Sequence, residues 1–191
     1  MNLLGLAAFY HESSCCLLRD GHLVAAAEEE RFSRVKHDPR LPVSAFRFCL
    51  RQGGIGLPDL DAVAYYESPV KKLSRQLWAG LPEGSSPDLA RLDAGAPERA
   101  IREGLGWDGP ILTFDHHLSH AASSFLYSDF PAAALLTVDG VGEWATTTYG
   151  AGRGTAINLF EQVDFPHSLG LLYATLTSYL GFEVNDGEYK V

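Results

Sequence analysis

Apolar runs with two different periods alternate along the chain and mark out its elements. Residues 2–8 form a short apolar run suited to a central strand. After a loop at Phe9–Ser13, residues 14–19 read as a second strand, and Asp20-Gly21 closes a tight hairpin onto a third strand at 22–29. The basic stretch 31–40 has no periodicity and reads as an exposed loop. Pro42 to Gln52 then shows a 3.6-residue period, with Ala45, Phe46, Cys49 and Leu50 on one face and Gly53-Gly54 as the stop. Residues 61–66 predict a strand. Residues 68–106 are helical in tendency but interrupted by Gly80, Pro82, Gly84 and Pro87, a pattern that suits a lid or insertion. Ile111 to Phe114 predicts a buried strand, and Leu118 to Tyr127 a helix.

The pattern then starts again. Residues 132–138 predict a buried strand, and Trp144 to Tyr149 a second. A glycine-rich turn at Gly150, Gly152 and Gly154 follows, then a third strand from Ala156 to Val163 and a helix from Ser168 to Leu180. A strand–loop–strand–turn–strand–helix order thus occurs at 2–52 and again at 132–180. Such a duplication predicts an α/β, actin/hexokinase-like (ribonuclease H-like, duplicated) fold, in which a nucleotide lies between two similar halves. The halves are expected at 1–130, complete, and 131–191, truncated, since one helix does not cover both faces of a sheet.

Composition narrows the class. With 191 residues the chain is long enough for one good core, or for one domain and part of another. A net charge of −9 argues against a nucleic-acid or anionic-membrane surface. The absence of an 18-residue apolar stretch or a signal-like start places the expected protein in the cytoplasm, with no membrane partner. Cys15, Cys16 and Cys49 do not make a disulfide framework, and adjacent strand residues point to opposite faces, so all three read as small buried groups.

The chemistry concentrates in Asp115-His116-His117-Leu118-Ser119-His120-Ala121 and in Val138-Asp139-Gly140-Val141-Gly142. His116 and His120 stand at i and i+4 and project from one helix face. Two imidazoles and a strand-end carboxylate, Asp139, suit a divalent metal. The plainer reading is that the histidines cap and pack a helix start, and that Asp139 forms a turn. Three histidines in five positions beside a strand end favour the metal. His117 points off that face, as a supporting or structural residue. Gly140 and Gly142 offer amides that could approach a phosphate, and Ser168 and Gly170 open a helix whose N-terminus could face an anion. His22, His37 and His167 read as hairpin-edge, loop and helix-entry residues.

Residues 26–37, the two motifs above and Asn185-Asp186-Gly187-Glu188-Tyr189-Lys190-Val191 together resemble the bacterial O-carbamoyltransferases of antibiotic and nodulation-factor biosynthesis. The resemblance runs end to end. It implies transfer of a carbamoyl group, from a carbamoyl-adenylate made from carbamoyl phosphate and ATP, to a hydroxyl of a small-molecule acceptor. By motif matching, His116 and His120 look like iron ligands and Asp139 like a metal or adenylate contact, with Fe(II) or another divalent ion bound and Mg2+ a further candidate cation. Lys36 matches a basic position near the carbamoyl donor, and His11 sits in the loop that approaches it. As a surface charge among Arg31, Arg34 and Arg40, Lys36 would do nothing of the kind; His11 could simply bridge a loop. Full members are about three times as long, a size that needs more than one domain. The isolated chain is therefore expected not to turn over without a synthase-like carboxy-terminal domain in cis or trans. The alternative is an inactive fragment or a binding or scaffolding subunit of the same fold that needs a partner chain. A kinase of this fold class would show a glycine-rich phosphate turn in the first hairpin, which Phe9-Tyr10-His11-Glu12 lacks.

Overall fold

The computed structural model describes residues 1–80 and 92–191. It forms two compact units, Met1–Phe114 and Asp115–Val191. In the first, β1 (Asn2–Ala7), β2 (Ser14–Arg19) and β3 (His22–Glu28) make an antiparallel meander. The β2–β3 turn needs positive φ at both central residues, and Asp20 (51°) and Gly21 (82°) supply it. Two strands, β4 (Ala62–Tyr65) and β5 (Ile111–Thr113), add in parallel on the other side of β1, giving the order β3-β2-β1-β4-β5.

The stretch at 31–40, expected to be an exposed loop, is more ordered than its composition suggests. It opens with a short helix, α1 (Glu30–Ser33), and it buries Asp38 completely. Arg40 donates to both Asp38 oxygens, at 2.9 and 2.6 Å, and the Asp38 carbonyl accepts from Ser13 N–H at 3.0 Å. The Arg40 hydrogen bonds hold the Asp38 carboxyl well below the usual carboxylate range, against the opposing effect of burial. A buried charge of this kind persists only because it is paired.

Helix α2 (Val43–Gly53) follows and lies on β2 and β3. Its buried residues are Ala45, Phe46 and Cys49, and they join Leu4, Leu6, Leu17, Val63 and Tyr65 in the core. Glu29, itself buried, accepts from the Ser44 and Ala45 amides and so satisfies two orphan donors at the start of this helix. Cys15 and Cys49 are buried, whereas Cys16, on the opposite face of β2, is only half-buried. Of the interrupted stretch 68–106, α3 (Pro69–Ala79) and α4 (Ala96–Leu105) are helical; the expectation for 81–91 falls outside the described residues.

The second unit repeats the meander. Helix α5 (His116–Phe125) precedes β6 (Ala132–Val138), β7 (Ala145–Arg153) and β8 (Ala156–Asp164), which pair antiparallel in that order, and α6 (Leu169–Tyr179) follows. Helix α5 starts two residues earlier than the periodicity predicts and packs across all three strands, with Ala121 and Phe125 inward against Leu135. The expected glycine-rich turn is corrected here: Gly150 and Gly152 lie inside β7, and only Gly154, at φ 59°, occupies the turn. A Cβ on Gly152 would come within 2.4 Å of the Phe125 ring, so this glycine makes room for the helix rather than for a bend. Among the described residues no helix is long and apolar enough to cross a membrane.

Candidate metal centre

Helix α5 presents two faces with separate tasks. His117, Ala121 and Phe125 are spaced at i, i+4 and i+8 and are buried against the sheet. His117 is locked there: its Nε2 lies 2.8 Å from the Ala145 carbonyl, which can only accept, so that nitrogen carries the proton. Its Nδ1 therefore accepts from Thr137 Oγ1, and the Thr137 oxygen in turn pairs with Thr148 at 2.7 Å. Burial, with help from the neighbouring His116, lowers the His117 pKa and keeps the ring neutral. This is the supporting role expected for His117, and it fixes the rotation of α5 about its axis.

That rotation carries His116 and His120 to a neighbouring face, where they meet Asp139. His116 Nε2 lies 2.8 Å from Asp139 Oδ2 and 2.9 Å from His120 Nε2; His120 Nε2 is 3.6 Å from the same oxygen. Asp139 follows β6 directly, with its amide donating to Thr146 O at 2.9 Å. Its Oδ1 is anchored by the Gly140 amide at 2.6 Å, which leaves Oδ2 for the histidines. The hydrogen-bonding contact with His116, with the His120 ring close by, holds the Asp139 carboxyl far below the ordinary carboxylate range, although burial opposes it.

The donor set fits a divalent ion. One ring nitrogen holds either a proton or a lone pair, so His116 Nε2 cannot satisfy both close neighbours. Three electron-rich atoms, all within 4.8 Å of one another, are what a cation at their centre would draw together. Metal–nitrogen bonds of ~2.1 Å place adjacent ligand atoms ~3.0 Å apart in an octahedron and ~3.4 Å in a tetrahedron. The observed separations of 2.8, 2.9 and 3.6 Å span that range.

A residue the sequence reading passed over supports the group. Glu143 is buried, and its two oxygens lie 3.0 and 3.1 Å from the backbone amide of His116. Asp115, the residue in the N-cap position of α5, makes no side-chain cap, so Glu143 supplies both the acceptor and the negative charge that the helix start favours. The signal was a second carboxylate four residues after Asp139, at a position that carries no periodicity.

The four residues expected to hold an anion surround the Asp139 turn. Ser168 caps α6, accepting from Leu171 N–H at 3.0 Å and donating to the Gly140 carbonyl at 2.6 Å. Gly170 lies so close that a Cβ there would come within 2.6 Å of the Asp139–Gly140 backbone. Gly142 donates its amide to Ala145 O at 2.9 Å, and its Cα side faces His116 and His117. Together they press the Asp139 turn between α5 and α6.

His11 and Lys36 belong to the first unit, on the loops 9–13 and 34–40. These loops are stitched together by Phe9 N–H to Pro39 O at 2.8 Å and by Ser13 N–H to Asp38 O. Lys36 is exposed. His11 Nδ1 contacts Glu12 at 2.9 Å, and the other Glu12 oxygen contacts His37 Nδ1 at 2.8 Å.

The repeated meander, each copy followed by a helix, defines an actin/hexokinase-like α/β protein, here with a two-histidine, one-carboxylate cluster on its second unit. A solved structure with the same fold is component A of the (R)-2-hydroxyglutaryl-CoA dehydratase of Acidaminococcus fermentans, at TM-score 0.50 and 14% identity over 97% of this chain and 56% of that one. Residues 2–81 and 106–191 match the family described as carbamoyltransferase N-terminus, and the chain belongs to that family. It is 41% identical to an uncharacterized protein of Synechocystis over 100% of this chain and 34% of that protein. It is 37% identical to the nodulation protein NolNO of Sinorhizobium fredii over 96% of this chain and 27% of that protein. The chain thus spans about a third of the length of these relatives.

Proposed function

We propose that this chain is the metal-holding, amino-terminal portion of an O-carbamoyltransferase that passes a carbamoyl group to a hydroxyl of a small-molecule acceptor. The observation that carries the reading is the convergence of His116 Nε2, His120 Nε2 and Asp139 Oδ2 within a family of carbamoyltransferase amino-terminal domains. In this reading the three residues hold Fe(II) or another divalent ion, with Mg2+ a further candidate. Bound there, the ion would polarise an oxygen of the donor and stabilise negative charge as it develops. The protein's own part is orientation: His117 sets the rotation of α5, Glu143 holds its first turn, and the Gly140 amide aims Asp139. Carbamoyl phosphate and ATP are the proposed co-substrates, joined as carbamoyl-adenylate. That joining step belongs to the two thirds of the relatives that this chain does not span. His11 and Lys36 are proposed to handle the donor, His11 as a proton acceptor and Lys36 as a cation beside the donor's phosphate or carbamoyl oxygen.

Metal analysis under anaerobic conditions tests the reading. The purified protein is expected to bind about one Fe(II) or Co(II), and His116→Ala and His120→Ala each to lose it while keeping native circular dichroism. Equal binding by the native protein and both variants would remove the metal, and the proposed role with it.

A further inference from the structure

Two loops of the first unit carry an arrangement that the metal-site chemistry does not use. Glu12 sits between two imidazoles, one carboxylate oxygen 2.9 Å from His11 Nδ1 and the other 2.8 Å from His37 Nδ1. A carboxylate can only accept, so both contacts require N–H at Nδ1. Partial burial raises the Glu12 pKa, but the hydrogen bonds from His11 and His37 outweigh it and the net direction is downward, in keeping with a charged acceptor.

His37 gives an independent reading of the same tautomer. Its Nε2 is buried and has no hydrogen-bond partner among the described residues. A bare lone pair tolerates that position better than an orphaned N–H donor, so the His37 proton belongs on Nδ1, facing Glu12. The backbone also holds an uncommon shape to make the bridge. Phe9, Glu12 and His37 all have positive φ, at 71°, 50° and 55°, a region that non-glycine residues rarely occupy. The pairing of buried Asp38 with the exposed Arg40 and the hydrogen bond from His37 N–H to Glu30, at 3.0 Å, keep the second loop in that shape. The Tyr10 ring lies against the His11 ring, with centroids 4.4 Å apart. Positive φ in several neighbouring non-glycine residues persists where the surrounding structure over-determines it, as at sites that need preorganised groups.

We infer that Glu12 and His37 are positioning residues that hold His11 as the Nδ1–H tautomer, with Nε2 left as its proton-accepting atom. His37 is the far anchor: it occupies the second carboxylate oxygen, so the carboxylate plane, and with it the His11 ring, has one orientation. The use to which that Nε2 is put rests on the reading of His11 proposed above; the tautomer does not.

Nitrogen-15 NMR of the histidine rings in the full chain tests this at pH ~8.5, above the ~6.5 at which imidazole ordinarily titrates. His11 and His37 are both expected to show protonated Nδ1 and bare Nε2. Glu12→Gln offers one oxygen and one NH2 group, so it cannot accept from both rings, and at least one Nδ1 should lose its proton. Glu12→Ala should release His11 to the Nε2–H form that unrestrained histidine favours. A bare Nδ1 on native His11, or a His11 tautomer indifferent to Glu12→Ala, overturns the inference. In the full-length transferase Glu12→Gln is expected to lower kcat about 10- to 100-fold with KM little changed, the pattern of a misoriented imidazole. Unchanged transfer by His11→Ala would defeat the catalytic reading of His11 while leaving the tautomer result in place.

Discussion

Replacing Glu143 tests whether the helix start, rather than the histidines alone, makes the metal centre. Glu143→Ala removes the carboxylate that accepts from the part-buried His116 amide and the negative charge facing the N-terminus of α5. A hydrogen bond to a charged acceptor contributes about 1.5–3 kcal/mol. The charge–dipole effect in a partly buried setting reaches ~2 kcal/mol and overlaps with it, so the combined loss should be about 2–3 kcal/mol. For a cooperative domain of this size that corresponds to a fall in Tm of roughly 4–12 °C. Glu143→Gln keeps a carbonyl oxygen in place without the charge and should cost less, about 1 kcal/mol. Because His116 leads the helix, fraying of the first turn moves its ring away from Asp139 and should weaken divalent-ion affinity 10- to 100-fold. Thermal melts with and without metal, together with competition titration, measure both effects. If Glu143→Ala bound metal like the native protein and melted at the same temperature, the first turn of α5 would be held by something other than Glu143.

Three further outcomes are expected. Gly170→Ala places a methyl group within 2.6 Å of the Asp139–Gly140 backbone, so it should destabilise by about 1–3 kcal/mol and reduce metal affinity; an unchanged melt and titration would contradict the close packing. In a full-length enzyme Lys36→Ala should raise the transfer barrier by about 1.5–3 kcal/mol and Arg34→Ala far less, whereas equal, negligible losses would return Lys36 to the solvated surface. The Asp38 carboxyl is depressed in the folded state, so its stabilisation is fully present above the unfolded carboxylate value of about pH 4 and is lost as pH falls through the lower folded value. Asp38→Asn should therefore flatten the acid limb of a pH–stability curve, and identical limbs in the two proteins would refute the pairing argument.

Local pattern alone determined much of this protein. Apolar runs and turn chemistry located the strands and the Asp20-Gly21 hairpin, and the repeated order of elements announced the duplicated fold. The i, i+4 spacing of His116 and His120 put two imidazoles on one face, because helix geometry is a local property. What the spacing lacked was the helix's rotation and its distance from Asp139, twenty-three and nineteen residues away in the chain. Those came from His117 docking on Thr137 and Ala145, and from Gly142 and Gly170 allowing both helices to close on one turn. The same limit explains Gly150 and Gly152: glycine marks a bend or a close approach equally well, and only the Phe125 ring beside β7 shows which applies. Glu12, Glu143 and Asp38 were illegible for a related reason. A carboxylate in an aperiodic stretch looks like solvated surface until the fold shows its partner: for Glu143 an amide and for Glu12 an imidazole on another segment, and for the buried Asp38 the guanidinium of Arg40 two residues on. Sequence set where most elements form; the long-range packing decided how far their faces are buried and which polar groups meet.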